Sequence, residues 1–417
     1  MPPMVEETPA EVQPQRRFST FSSLRYRDYR YLWLAQTGRA AAMWMEQVAR
    51  PVLILQLTDS ALLVGLVVAA RMTPQLLFGL FAGAAADRLD RKRILLATQW
   101  VTMSVHFLLA ALVLTNLVEP WHVFALAFLS GSMLAVYQPA RQSIIAQLVP
   151  AEELLNAVAL NTTAINLMRI LGPAVAGVLL FSGVGSVYLL SGAIGILVIV
   201  AISLIEIRHE PRPADVEASW LGDIREGLGF VSRNPTILSV LGLALILFTF
   251  GLPYQSVFVP LFAKKVLDLG DSGVAALGVV TGAGALIGSL VLASQTRLPR
   301  RGLLLLGFLA LFSLGLMVFS RSTLLPLSIV ALMAAASMSP SYMTLTNMLL
   351  LELSPPNMRG RVMSLMSLDR GFVPVGAVTA GALAATLGPQ DGLLVMAGVC
   401  LALTVLAALV VPALRRI

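Results

Sequence analysis

The chain has 417 residues, of which 57% are hydrophobic and only 12% charged. That is about half the charged share of an ordinary soluble domain, so a water-exposed globule is excluded for want of polar surface. The formal net charge of +7 would suit a nucleic-acid partner, but the basic residues stand at the ends of apolar segments and no nucleic-acid partner is expected. The single cysteine, Cys400, excludes an internal disulfide.

In chain order, residues 1–30 read as a polar cytosolic tail, rich in Pro, Glu and Arg and unlike a cleaved signal peptide. A spanning helix needs about 20 mostly apolar residues. Twelve segments qualify: 31–57, 61–86, 94–117, 121–148, 154–181, 186–205, 236–263, 273–294, 302–320, 324–351, 362–387 and 392–414. The connections are short except for a polar stretch at 207–235, which divides the chain into six-helix bundles at 31–206 and 236–417. The expected fold class is an all-α polytopic membrane protein with twelve transmembrane helices in two pseudo-symmetric bundles.

Lys and Arg accumulate on the cytosolic side of a membrane protein. With the N-terminus inside, twenty of the 29 fall on that side and only Lys264, Lys265 and Arg321 on the other, the remaining six being within helices. Both termini are therefore expected to be cytosolic. The halves also resemble each other. P-A-R-Q-S-I-I-A-Q-L-V-P ends at Pro150 and is followed by G-P-A-V-A-G from Gly172; L-S-P ends at Pro355 and is followed by V-P-V-G-A-V-T-A-G from Val373. Parallel repeats with a site at their interface are a transporter plan. Proline inside a spanning helix softens or breaks it, and Gly172, Pro173 and Pro374 occupy matching places where breaks are expected. Gly278, Gly282, Gly284 and Gly288 form a close-packing face on the eighth segment.

Between segments two and three stands G-A-A-A-D-R-L-D-R-K-R, from Gly83 to Arg93. Gly83 allows close helix packing. Asp87 lies at a helix C-terminus, where a carboxylate meets an unfavourable dipole unless it is paired. Arg88, Arg91, Lys92 and Arg93 supply partners and anchor the loop to anionic headgroups. A plain positive-inside anchor is the simpler reading of the same residues. The stretch resembles the signature loop of the major facilitator superfamily, G-x-x-x-D-R-x-G-R-R-[RK], with Asp90 where the pattern has its second glycine. S-L-R-Y-R-D-Y-R-Y-L-W from Ser23, W-M-E-Q-V-A from Trp44, L-T-D-S-A-L-L-V-G-L from Leu57 and the block from Pro139 to Gly177 resemble one branch of it. That branch holds enterobactin exporters, macrolide efflux proteins and transmembrane secretion effectors. The resemblance runs from about Phe21 to the end. It implies two bundles rocking about a central cavity, with the Asp87 loop as a cytosolic latch.

Ionisable groups inside spanning helices are costly and face a cavity or a partner. Arg39, Glu46 and Arg50 share one stripe of the first helix, and Glu46 and Arg50 can pair at i,i+4. Asn161, Asn166 and Arg169 lie on the fifth segment, Asp369 and Arg370 on the eleventh, and Arg71 and Arg141 on the second and fourth. Arg39, Glu46, Arg50, Asn161, Asn166, Arg169, Asp369 and Arg370 are the candidates for a coupling or substrate cavity, and Arg141, near the cytosolic end of the fourth segment, reads as a structural part of the gate; the competing reading is paired charges that lock helices together. Where the branch usually has Gln, this chain has Glu46, a candidate proton-responsive carboxylate. The six intramembrane arginines outnumber the acids, so a neutral or anionic cargo is expected. His106, His122 and His209 form no metal-like spacing and His106 reads as a packed residue. No Walker loop and no catalytic triad occurs.

The expected function is secondary active transport, not enzymatic catalysis: proton-coupled efflux of a small amphipathic molecule, siderophore or drug-like, by a monomer in a bacterial-type inner membrane. No cofactor or metal is expected. Import of a small metabolite and a transport-inactive sensor are the alternatives. Asp87→Asn should leave membrane insertion intact but slow transport strongly, because losing a charge pair at a gate shifts the balance of its two states. Wild-type flux through correctly inserted Asp87→Asn protein would refute the latch.

Overall fold

A computed structural model describes residues 21–88, 90–206, 220–295 and 298–416. Most of the expected tail, part of the expected linker and Arg297 therefore lie outside the described residues. Among the described residues there is no strand. The long helices are α1 (Arg27–Thr58), α2 (Ala61–Arg88), α3 (Arg91–Leu114), α4 (Pro120–Leu148), α5 (Leu154–Leu180) and α6 (Val184–Ser203). After a short helix, α7 (Trp220–Ser232), come α8 (Pro235–Val266), α9 (Gly270–Ser294), α10 (Arg301–Arg321), α11 (Leu325–Leu353), α12 (Arg359–Leu387) and α13 (Pro389–Val410). Eleven of these are long and apolar enough to cross a membrane among the described residues. The exception among the twelve long helices is α1, whose 32 residues include Arg39, Glu46 and Arg50. It tolerates them because neighbouring helices bury its charged stripe.

Helix α1 packs on α5 and α6, α2 on α4, and α3 on α4 and α6. In the second half α11 packs on α9 and α10, and α13 on α10 and α12. The halves meet along two seams, α2 on α12 and α5 on α9. Hydrocarbon gives no hydrophobic drive between helices, so close backbone approach must supply the contact. Glycine permits it here. A Cβ on Gly65 would lie 2.3 Å from the Ala377 carbonyl oxygen, and one on Gly282 would lie 2.7 Å from that of Arg169.

Two expected breaks differ from each other. Helix α5 runs through Gly172 and Pro173 unbroken, which corrects that expectation. Both are packing positions instead: a Cβ on Gly172 would meet Trp44 of α1 at 2.6 Å, and Pro173 packs against Gly278 of α9. Helix α12 is tightened into a 3-10 turn at Arg370–Phe372, immediately before Pro374. The largest irregularity is in α8, where π-helical turns cover Leu247–Gly251, Tyr254–Phe258 and Phe262–Val266. Pro253 and Pro260 lack the N–H for an i→i−4 bond, and the ladder shifts to longer ones such as Leu252 N–H to Leu247 C=O at 2.8 Å.

The start of α1, the end of α13 and the α2–α3 junction share one face, the terminal face. At the opposite face polar bonds tie the halves. Gln56 donates to Asp271 at 2.6 Å, and Lys265 donates to the Asp59 carbonyl at 2.8 Å and pairs with its carboxylate at 2.9 Å. Since the Gly65 contact also lies near that face, Gly65→Ala should force the halves apart there and close the terminal side. A thiol probe placed by Gln138→Cys should then label about ten-fold more slowly from the terminal face than in an otherwise wild-type background. Unchanged labelling would show that the α2–α12 contact does not set the conformation.

Candidate functional site

A cavity of about 510 Å³ lies between the halves, toward the terminal face. Its walls include Gln75 of α2, Gln138, Arg141 and Gln142 of α4, and Ser364 and Arg370 of α12. That volume falls in the usual range for small-ligand sites, about 300–1,000 Å³. Among the described residues its charged lining side chains are the two arginines, with no acid beside them. The 3-10 turn of α12 carries Arg370 into this wall. Asp369, the preceding residue, has a buried Oδ2 with no hydrogen-bond partner.

A second polar region lies inside the first six helices. Glu46, Arg50, Arg71 and His106 are 3%, 4%, 7% and 2% exposed. Glu46 Oε1 accepts a hydrogen bond from Arg50, one turn on, as the i,i+4 spacing predicted. Its Oε2 accepts from Arg71 of α2 at 3.3 Å, and His106 Nε2 of α3 lies 3.8 Å from Oε1. Arg39, one stripe position earlier, donates to Gln99 at 3.0 Å and lies 3.7 Å over the Tyr137 ring, whose hydroxyl accepts from Gln36. The shared stripe on α1 was legible from spacing. That Arg71 completes the pair and His106 faces it was not, because those contacts depend on how three helices meet. The only signal was a single ionisable side chain in the middle of each helix, Arg71 in α2 and His106 in α3.

A third group bridges the halves. Arg169 of α5 donates to Gln255 in the π-helical part of α8 at 3.4 Å, and its guanidinium lies 5.2 Å from the Trp44 ring. The wide turns of α8 carry Gln255 and Tyr254 at this depth. Asn161 is buried with its Oδ1 unpartnered, and Asn166 is half-buried; neither lines the large cavity. Apart from Asn161 and Asn166, the candidates from Arg39 to Arg370 thus divide among three regions.

For the signature loop, the side chains of Gly83, Asp87 and Arg88 lie outside the described residues. Asp90, the departure from the pattern, has a local role. It is the N-cap of α3, and its Oδ1 accepts from the backbone N–H of Lys92 at 2.9 Å and of Arg93 at 3.3 Å. Lys92 Nζ donates to the carbonyls of Ser203 and Ile205 at the end of α6, while Arg93 is exposed and Arg91 half-buried. Among the described residues no group of His, Cys, Asp and Glu is placed to hold a metal.

Glu46→Ala would leave Arg50 and Arg71 buried without their carboxylate. Breaking a buried pair in this way costs about 3–5 kcal/mol. The expected result is a large drop in unfolding temperature and in yield of folded protein; a variant as stable as wild type would show that the arginines do not rest on Glu46.

The model of the family described as transmembrane secretion effector matches residues 18–416. The chain is 29% identical to the multidrug efflux pump Tap of Mycolicibacterium fortuitum, across 89% of this chain and 92% of that one. It is 25% identical to the staphyloferrin A transporter of Staphylococcus aureus (strain NCTC 8325 / PS 47), across 80% and 84%. It is 23% identical to macrolide efflux protein A of Streptococcus pyogenes, across 84% and 88%. In fold it superposes on the nucleoside transporter NupG with a TM-score of 0.77 at 11% identity, covering 91% of this chain and 98% of that one. It also superposes on an inward-facing bacterial homologue of the lysosomal transporter Spinster with a TM-score of 0.72 at 16% identity, covering 94% and 98%. A helical membrane protein whose halves pack about a polar cavity, matched over almost its whole length, the chain belongs to the transmembrane secretion effector family of major facilitator membrane transporters.

Proposed function

We propose that the protein is a proton-coupled exporter that moves a neutral or anionic small molecule out of the cytosol by alternating access. The observation that carries this reading is the cavity of about 510 Å³ between the halves, lined by Arg141 and Arg370 and, among the described residues, by no acid. A guanidinium pair favours carboxylate, phenolate or carbonyl oxygen and stacks on aromatic rings, whereas a lipophilic cation meets the wrong field. The bias of basic residues toward the terminal face supports a cytosolic position for that face. The cavity would then load from the cytosol. The names of the relatives, two efflux proteins and a siderophore transporter, favour the outward direction.

Coupling needs an acid that can take and release a proton without losing its partner. Glu46 was the first candidate, but Arg50 and Arg71 both hold it. Asp369 has no ion pair among the described residues and adjoins the cavity wall, so it is the better-placed carrier. Asp369→Asn should abolish accumulation driven by a pH gradient in proteoliposomes while sparing downhill exchange. If that variant still concentrates substrate, the proton travels elsewhere, and Glu46→Gln becomes the variant to measure. For cargo class, purified protein should bind catecholate or carboxylate ligands in preference to ethidium. Tight ethidium binding, weakened by replacing Asp369 or Glu46, would overturn the charge assignment.

A further inference from the structure

Between α1, α2, α3, α4 and α6 lies a narrow chamber of about 30 Å³, away from the inter-half cavity. It has room for a water-sized sphere or two and no more. Arg39, Glu46, Arg71, Gln99, His106 and Ser130 border it. Several of their polar atoms are buried and without a partner: Arg71 Nε, both ring nitrogens of His106 and the hydroxyl oxygen of Ser130. Ser130 is 6% exposed, and Arg71 and His106 are buried as deeply. Arg71 has already spent one N–H on Glu46, so the Nε–H is a separate, unused donor.

The charge balance points the same way. Three guanidinium groups, Arg39, Arg50 and Arg71, surround one carboxylate, and both Glu46 oxygens are engaged, by Arg50 and by Arg71. The other described acids of the first half lie at helix ends or in loops: Asp28, Asp59, Asp90, Glu119, Glu152, Glu153 and Glu206. Asp87 is sixteen residues beyond Arg71 on α2, about 24 Å along the axis. Two positive charges therefore remain uncompensated in a low-dielectric interior, a state that costs several kcal/mol per ion unless a counter-charge arrives. A carboxylate-bearing organic molecule does not fit 30 Å³; a monatomic anion does.

We propose that this chamber binds one small inorganic anion of halide size. The anion accepts from Arg71 Nε–H, from an N–H of His106 and from the Ser130 hydroxyl, and it neutralises part of the arginine surplus. It is a fixed structural ligand of the first six helices, distinct from the cargo, and independent of the direction and coupling proposed above.

The test uses the full-length protein, purified in detergent. Thermal unfolding is followed in sodium chloride and in sodium gluconate at equal ionic strength, and crystals grown in sodium bromide are searched for anomalous density. Chloride should raise the unfolding midpoint saturably over gluconate, and one bromide peak should lie among Arg71, His106 and Ser130. Ser130→Ala removes one hydrogen bond to a charged acceptor and should raise the half-saturating chloride concentration about ten-fold. Equal midpoints in chloride and gluconate would mean that water fills the chamber and would overturn the proposal. So would bromide found only at the surface, or a Ser130→Ala curve that superposes on wild type. Should Ser130→Ala fail to fold, the wild-type bromide map decides.

Discussion

The carboxylate of Glu46 lies where α1, α2 and α3 converge, and two arginines rest on it. In hydrocarbon each of those charges alone would cost several kcal/mol, so none can be placed without the others. That constraint makes α1 the axis of the first six helices. It is less apolar than the other long helices, and its charged stripe is enclosed by α2, α3, α4 and α6. The remaining helices are ordinary apolar spans arranged around this requirement.

The seams between the halves follow a different logic. Along α2–α12 and α5–α9 glycines bring backbone against backbone, at Gly65, Gly282 and Gly381. Such contacts need no polar side chain to be desolvated when the halves close again, which suits surfaces that separate and rejoin. Polar bonds reinforce the seam at one face, through Asp59, Lys265, Gln56 and Asp271. The cavity occupies the other side. The π-helical turns of α8 stand beside the crossing contact of Arg169 and Gln255. With Pro253 and Pro260 removing two donors from the ladder, α8 is the helix whose backbone bonds can be re-registered at the lowest cost.

Charge is distributed in three layers with separate work to do. The arginine surplus around Glu46 is buried among the helices of the first half, with Ser256 of α8 facing it. Arg141 and Arg370 face the inter-half cavity and set the field that an occupant meets. Lys92 and Asp90 close the ends of α6 and α3. The signature loop is thus partly explained by helix capping, independently of any latch, since Asp90 in place of glycine supplies the N-cap of α3.

The amino-acid sequence by itself determined the membrane class, the long helices, the basic bias of one face and the family. Each of these depends on local composition or on a contiguous motif, and the bilayer imposes length and apolarity on every span separately. It also revealed the pairing of Glu46 with Arg50, because i,i+4 spacing brings two groups together within one helix. Only the tertiary structure decided that Arg71 and His106 join that pair, that Asp369 has no ion pair among the described residues, and that Gly172 and Pro173 pack rather than break α5. Those facts turn on which helix faces which, and an apolar helix pattern reads nearly alike on every side when lipid and protein neighbours are equally apolar.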